Sequence, residues 1–272
     1  MFRDILVILG EKGAAASYVL SFAHLFDADV TAVCARRDAA YDAVESAQTR
    51  YDMVLSGQAE AEGAASRRLQ DFAVHANNAA IRAHVIKAGD AEHPEPRKLR
   101  QFARCFDLVV LEQPEPGQSA YAGGMIGSLL SGSGRPVLVA PYIQKDPASF
   151  ERIVVAWDAS ASAARALGDA LPILKRADAV EIVTVANKNI DRDLPGGADV
   201  ARHLAKHGID ATFAEIPGEI DAGNMLLSYI ADAGAKLMVA GGYGHSRLSE
   251  TVLGGVTRTL LESMTIPLFM SH

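Results

Sequence analysis

Lys236-Leu-Met-Val-Ala-Gly-Gly-Tyr-Gly-His245 is an apolar run that passes straight into glycines. Nine residues separate Gly244 from Gly254, which lies in Thr251-Val-Leu-Gly-Gly-Val-Thr257. Gly241, Gly244 and Gly254 thus stand at G-x-x-G-x9-G, and the stretch reads as a buried strand, a glycine turn and a helix start. Glycines so placed let main-chain N–H groups approach an anion that a Cβ would block, and the helix start adds a favourable dipole. A phosphate-bearing ligand is one reading. The other is a tight strand-to-helix turn that binds nothing.

The surrounding sequence extends the pattern. Ile266-Pro-Leu-Phe-Met270 is a short apolar run with a proline at its entry, where a strand tolerates one. Upstream, Arg152-Ile-Val-Val-Ala-Trp-Asp158 is a strand ending on an acid, and Ser160 is placed to cap a helix over Ala163–Leu174. Together these residues resemble the universal stress protein family, whose nucleotide-binding members carry G-x-x-G-x9-G-[Ser/Thr] before a Pro-led last strand and an Asp ending the first strand. The departure is Gly255, where the family's ATP binders place a hydroxyl. Its loss removes one side-chain donor to phosphate while leaving the main-chain cradle. Thr257, two positions along the helix, points well away from the missing hydroxyl.

Internal repetition sets the architecture. Arg3-Asp-Ile-Leu-Val7 answers Glu151-Arg-Ile-Val-Val155, and Phe106-Asp-Leu-Val-Val-Leu111 answers Ala235-Lys-Leu-Met-Val-Ala240. Gly123-Gly-Met-Ile-Gly127 answers Gly254-Gly-Val-Thr-Arg258, and Arg135-Pro-Val-Leu-Val-Ala140 answers the Pro-led run at 266–270. The resemblance therefore covers the whole chain as a tandem. It implies a degenerate domain over 1–145, a domain with the nucleotide motif over 150–272, and a linker around Asp146-Pro-Ala-Ser-Phe150.

Each half alternates strands and helices. Strands are expected near 4–9, 29–35, 81–87, 107–112 and 136–140, then near 152–157, 180–186, 210–216, 236–240 and 266–270. Second-half helices are expected near 160–175, 197–207, 220–233 and 250–263, and the charged stretch Ala39–Ala79 as one long helix or two pieces. Runs such as Ile182-Val-Thr-Val185 lack alternation, as parallel strands covered on both faces do. Right-handed crossovers then give an α/β fold of two doubly wound parallel-sheet domains. In the resembling family these are Rossmann-like, adenine-nucleotide alpha hydrolase-like domains. The Pro-led last strands at 136–140 and 266–270 are expected to pair with each other, because family dimers use this edge.

Ligands of such sheets bind beyond the carboxyl ends of strands, where strand order reverses. In the second half that edge gathers Ala156, Trp157, Asp158, Val185 and the glycine turn. Asp158 is suited to accept hydrogen bonds from ribose hydroxyls or adenine, or else is a helix-start acid held by the dipole. Trp157 either covers the base or fills a core edge. The resemblance implies an adenine-nucleotide site (ATP, ADP or AMP, with or without Mg) built from Ala156, Trp157, Asp158, Val185, Ala240, Gly241, Gly244, Gly254, Gly255 and Val256. In the first half, Ile8-Leu9-Gly10-Glu11 lacks the Asp, and Glu112-Gln-Pro-Glu-Pro-Gly117 replaces the first glycines by acids and prolines. Acids repel phosphate and prolines remove N–H donors, so one nucleotide per chain is expected.

Composition bounds the rest. The 272 residues suffice for two cores, and no apolar run approaches the length of about 20 needed to span a bilayer. A net charge of −7 without a basic, aromatic-laced stripe argues against nucleic-acid binding. Cys34 and Cys105, far apart in apolar segments, read as buried free thiols of a cytoplasmic protein. His203 and His207 share a helix face, but no neighbouring glutamate completes a zinc motif, and no catalytic or metal set is assigned. The favoured reading is a stress-response regulator or sensor with an unknown protein partner, an internal pseudo-dimer and a possible homodimer. The alternatives are a slow ATP-hydrolysing or nucleotide-transferring enzyme resting on His245, Ser246 and Arg247, and a ligand-free interaction module.

Overall fold

The computed structural model describes residues 1–10, 13–34, 50–87, 98–114, 119–186, 195–218, 221–242 and 255–272, with the backbone alone at 50–61 and 119–123. The first-half strands are β1 (Asp4–Leu9), β2 (Asp29–Cys34), β3 (Ala83–Val85), β4 (Leu108–Glu112) and β5 (Val137–Ala140). The second half supplies β6 (Arg152–Ala156), β7 (Ala179–Ala186), β8 (Ala211–Pro217), β9 (Leu237–Gly241) and β10 (Leu268–Ser271). They form one ten-stranded sheet in the order β3-β2-β1-β4-β5-β10-β9-β6-β7-β8. Each half therefore repeats the same internal order, 3-2-1-4-5 counted from its own first strand. All pairings are parallel except the central one, where β10 runs antiparallel to β5 with Phe269 opposite Leu138. The two Pro-led strands thus pair as expected, and the free edges of the sheet are β3 and β8.

The helices are α1 (Ala14–Phe26), α2 (Arg50–Asn78), α3 (Leu99–Phe102), α4 (Ser119–Gly132), α5 (Ala161–Leu174), α6 (Gly197–Lys206), α7 (Ala222–Asp232) and α8 (Gly255–Ser263). Local sequence accounts for their limits. Ser160 caps α5, its Oγ accepting from the Ala163 N–H at 3.1 Å, and the Asp221 carboxylate caps α7 by accepting from the Gly223 N–H at 3.0 Å. From Arg50 onward the charged insertion of the first half is one long helix, α2, which places Leu69, Phe72 and Ala76 at helical spacing against the sheet, while 39–49 lie outside the described residues.

The sheet is covered on both faces, which is why its central strands are continuous apolar runs. One layer holds α1, α2, α5 and α6, with Phe22, Leu69, Leu167 and Leu204 buried beneath them. The other holds α3, α4, α7 and α8, through Leu99, Ile126, Leu226 and Leu260. Each layer is contiguous across the two halves. Phe2 and Phe269 meet at 6.1 Å between ring centroids, and Phe150, from the connection between halves, packs 5.9 Å from both Phe22 and Phe26. The Arg176 guanidinium sits 4.5 Å from the Phe26 centroid, tying the end of α5 to α1.

One expectation is corrected. Cys34 is buried, but Cys105 is exposed. It ends a short 3-10 turn, Ala103–Cys105, that buries Ala103 and leaves Arg104 and Cys105 exposed. Among the described residues no helix is long and apolar enough to cross a membrane, and no group of three or more His, Cys, Asp or Glu side chains is placed to hold a metal ion.

Candidate functional site

Strand order reverses in each half between its first and fourth strands. In the second half these are β6 and β9, joined through Val155 opposite Val239. The chain leaves β6 for α5 on one face and leaves β9 towards α8 on the other. The crevice between those two departures is the place where an open parallel sheet binds ligands.

Ala156 ends β6, half-buried and opposite Val183. Trp157 continues the register, donating its main-chain N–H to the Val183 carbonyl at 2.9 Å. Its ring packs on the α5–α6 layer and its indole N–H donates to the Pro195 carbonyl at 2.8 Å. The indole is thus held at an edge of the core. Asp158 is exposed at the mouth of the crevice, and its Oδ1 accepts from the Ser160 N–H at 3.0 Å. That bond closes a tight turn over Ala159, whose φ is 60°. Val185, on β7, is half-buried against the α7–α8 layer. A Cβ on Gly218 would fall 2.5 Å from a Val185 methyl, so the glycine at 218 makes room for that side chain.

Ala240 is buried and Gly241 ends β9, paired with Met270 and Ser271 respectively. Gly241 is a glycine for a packing reason the sequence concealed. A Cβ there would meet the Ala163 nitrogen at 2.5 Å and the Ser162 Oγ at 2.7 Å, so the strand end lies directly against the first turn of α5. Gly255 differs. It opens α8 without a left-handed φ, and among the described residues nothing lies within 4 Å of a Cβ built on it. Val256 beside it is 40% exposed, whereas Thr257 is buried and faces inward. Gly244, Gly254 and the trio His245, Ser246 and Arg247 lie outside the described residues. Ala156, Trp157, Asp158, Gly241 and the start of α5 are therefore brought together, with Val185 on the neighbouring strand and Gly255 at the head of α8.

The corresponding crevice of the first half is filled. Its register places Ile5 opposite Leu108, as Ile153 is opposite Leu237, so Gly10 stands where Asp158 stands and Glu112 where Gly241 stands. Acid and glycine have exchanged places. A Cβ on Gly10 would lie 2.8 Å from Glu112 Oε2, and Arg68 of α2 donates to the Gly10 carbonyl at 3.3 Å. The Glu112 side chain thus occupies the volume beside Gly10, and the long helix α2 reaches the same strand end through Arg68.

A cavity of about 430 Å³ lies elsewhere, at the amino ends of β1 and β2, lined by Arg3, Asp4, Asp29, Arg82 and His84 among others. Its principal charges are engaged with each other, Arg82 with Asp29 and Arg3 with Asp27. It lacks the helix-start N–H groups that an anion needs, so it is set aside as the site.

The family model of the universal stress proteins matches residues 149–272. A universal stress protein of Synechocystis sp. is 28% identical over 169 residues, covering 60% of this chain. The match spans 56% of that relative's own length. Among solved structures, a universal stress protein from Archaeoglobus fulgidus is similar over 97% of both chains, with a TM-score of 0.70 at 18% identity. A functionally unknown protein from Pseudomonas aeruginosa PAO1 is similar over 98% of this chain and 92% of its own, with a TM-score of 0.61 at 15% identity. At such identities these structures speak for the fold, which they share across both halves.

Proposed function

We propose that this chain, whose residues 149–272 match the universal stress protein family model, is a stress-response regulator that binds one adenine nucleotide in the crevice between β6 and β9. The nucleoside lies towards Asp158, Trp157 and Val185, and the phosphates lie towards Gly241, Gly244, Gly254 and the first turn of α8. The observation that carries this reading is Gly255. A glycine in a first helical turn costs helix stability relative to alanine. Here neither a left-handed φ nor a close neighbour among the described residues requires it. With nothing packed on Gly255 among the described residues, the main-chain N–H groups at the start of α8 stay open to an anion.

The nucleoside end of the crevice supports the reading. The Asp158 carboxylate is held at the mouth by the Ser160 N–H and is an acceptor suited to ribose hydroxyls or the adenine amino group. The first half, with Glu112 across Gly10, supports the second and binds no nucleotide of its own. ATP, ADP and AMP share the recognised portion, and Mg accompanies the longer phosphates when present.

Mass spectrometry of the denatured purified protein for co-purified nucleotide, followed by calorimetric titration with ATP, ADP and AMP, tests the reading. Saturable binding at one site per chain, abolished by Gly244→Val with circular dichroism unchanged, is expected. No co-purified nucleotide and no heat at millimolar ligand would overturn it.

A further inference from the structure

Gln113 follows β4 in the first half, yet its side chain serves the second. It is 2% exposed, and its amide Nε2 donates to the Leu261 carbonyl at 2.8 Å in the last turn of α8. Its Oε1 accepts from the Tyr142 N–H at 3.3 Å, and its own N–H donates to the Ala140 carbonyl at 2.7 Å. The residue is therefore a fixed post between the end of β5 and a helix of the other half. Carbonyls in the last turn of a helix have no partner within it, so a buried donor there sets where that helix ends. On its other flank α8 is anchored within its own half. Thr259 donates to Asp221 at 3.3 Å, and Gly223 admits the Thr259 side chain, with a Cβ there only 2.7 Å from it.

We propose that Gln113 is a positioning residue for the phosphate end of the site, acting through α8 from the first half. The inference rests on the nucleotide reading above. The helix is short, Gly255–Ser263, so displacement of its last turn is transmitted along a rigid rod to its first. The N–H groups of the first turn of α8 are then aimed correctly only while the Leu261 carbonyl is held. The arrangement is one-sided. Gly242 follows β9 as Gln113 follows β4, and it has no side chain to return the contact. It packs instead against Leu130 and Met270.

The experiment pairs Gln113→Met, similar in length but without the amide, with Tyr142→Pro, which removes the N–H that orients the amide, read against Tyr142→Ala, which removes the ring and keeps that N–H. Tyr142 follows Pro141 in a turn closed by the Gln144 N–H on the Pro141 carbonyl, a position that accepts proline. Full-length proteins are titrated with ATP and with adenosine, and amide hydrogen exchange of α8 is followed without ligand. The expected result is an ATP affinity lowered about tenfold with adenosine affinity unchanged, and faster exchange in α8 than in α7. Equal weakening of both ligands, or no change in either, overturns the inference. If Gln113→Met does not fold, Tyr142→Pro carries the same test. If the wild-type protein binds neither ligand, the nucleotide reading fails and exchange alone decides the anchor: unchanged α8 protection overturns it, and accelerated exchange sustains it.

Discussion

A Cβ built on Gly10 would lie 2.8 Å from Oε2 and 2.9 Å from Cβ of Glu112. The two residues share one volume across the β1–β4 register, so Gly10→Ala forces the Glu112 side chain and its strand end to move. Overpacking of this kind costs about 1–3 kcal/mol, and thermal melting should show a loss of several degrees. Adding Glu112→Gly removes all three close atoms, Oε2, Cβ and Cδ, and should restore most of it. A double variant no more stable than Gly10→Ala would show that something else limits the site.

Gly241 and Gly255 separate cleanly in the same assay. At Gly241 an added Cβ meets the main-chain nitrogen of Ala163 at 2.5 Å, and backbone cannot step aside as a flexible side chain can. Gly241→Ala should lower stability by about 2 kcal/mol or more. Gly255→Ala meets nothing within 4 Å among the described residues and should be neutral or stabilising by up to ~1 kcal/mol. Equal losses at the two positions would refute the distinction.

Gly255→Ser supplies the hydroxyl that the resemblance to ATP-binding family members leads one to expect at this position. The backbone there does not have a left-handed φ, so serine is accommodated without strain. A neutral donor to a charged oxygen contributes about 1.5–3 kcal/mol, or roughly ten- to a hundredfold in affinity. ATP should gain more than AMP in calorimetric titration, with a melting curve recorded alongside. An equal gain for ATP, ADP and AMP would place residue 255 away from the terminal phosphate.

Asp4 predicts a pH dependence. Burial, followed by repulsion from Asp107 and Asp29, raises its carboxyl above the ordinary aspartate value. The folded chain therefore holds this proton more tightly than the unfolded one. The stability it contributes is present below the unfolded value, about 3.9, and is lost as pH rises through the raised folded value. Above that window the ionised carboxylate opposes folding. Asp4→Asn should raise the melting temperature at pH 7 by about 1–3 °C and lose its advantage near pH 3. A variant less stable than wild type at pH 7 would refute the sign.

Much of the fold was legible because it rests on local pattern. Apolar runs, Pro-led strands and repeated glycines at one offset imply two like halves, and the β5–β10 pairing follows from their symmetry. Ser160 reads as a helix cap from its place before an alanine-rich run, and it is one. What stayed hidden is long-range. Gln113 and Leu261 lie 148 residues apart, and nothing near Gln113 announces its partner. Gly241 reads as a phosphate glycine from its spacing, yet its missing Cβ also admits the turn of Ser162 and Ala163, contributed by a different segment. Cys105 looked buried because its neighbours are apolar, but a 3-10 turn reverses direction too quickly for neighbours to report burial.

The antiparallel seam between β5 and β10 has a consequence for how such a molecule can change. In an assembly of two identical subunits, every substitution appears twice, and neither crevice can be closed while the other stays open. Here both partners of the seam belong to one polypeptide, joined through Pro141 to Glu151, so each is altered alone. That freedom allows one crevice to be filled by Glu112 while its twin keeps a glycine. It also lets a residue such as Gln113 serve its neighbour without being served in return. Covalent joining leaves the two halves free to differ in role, as the exchange of acid and glycine between Gly10/Glu112 and Asp158/Gly241 displays.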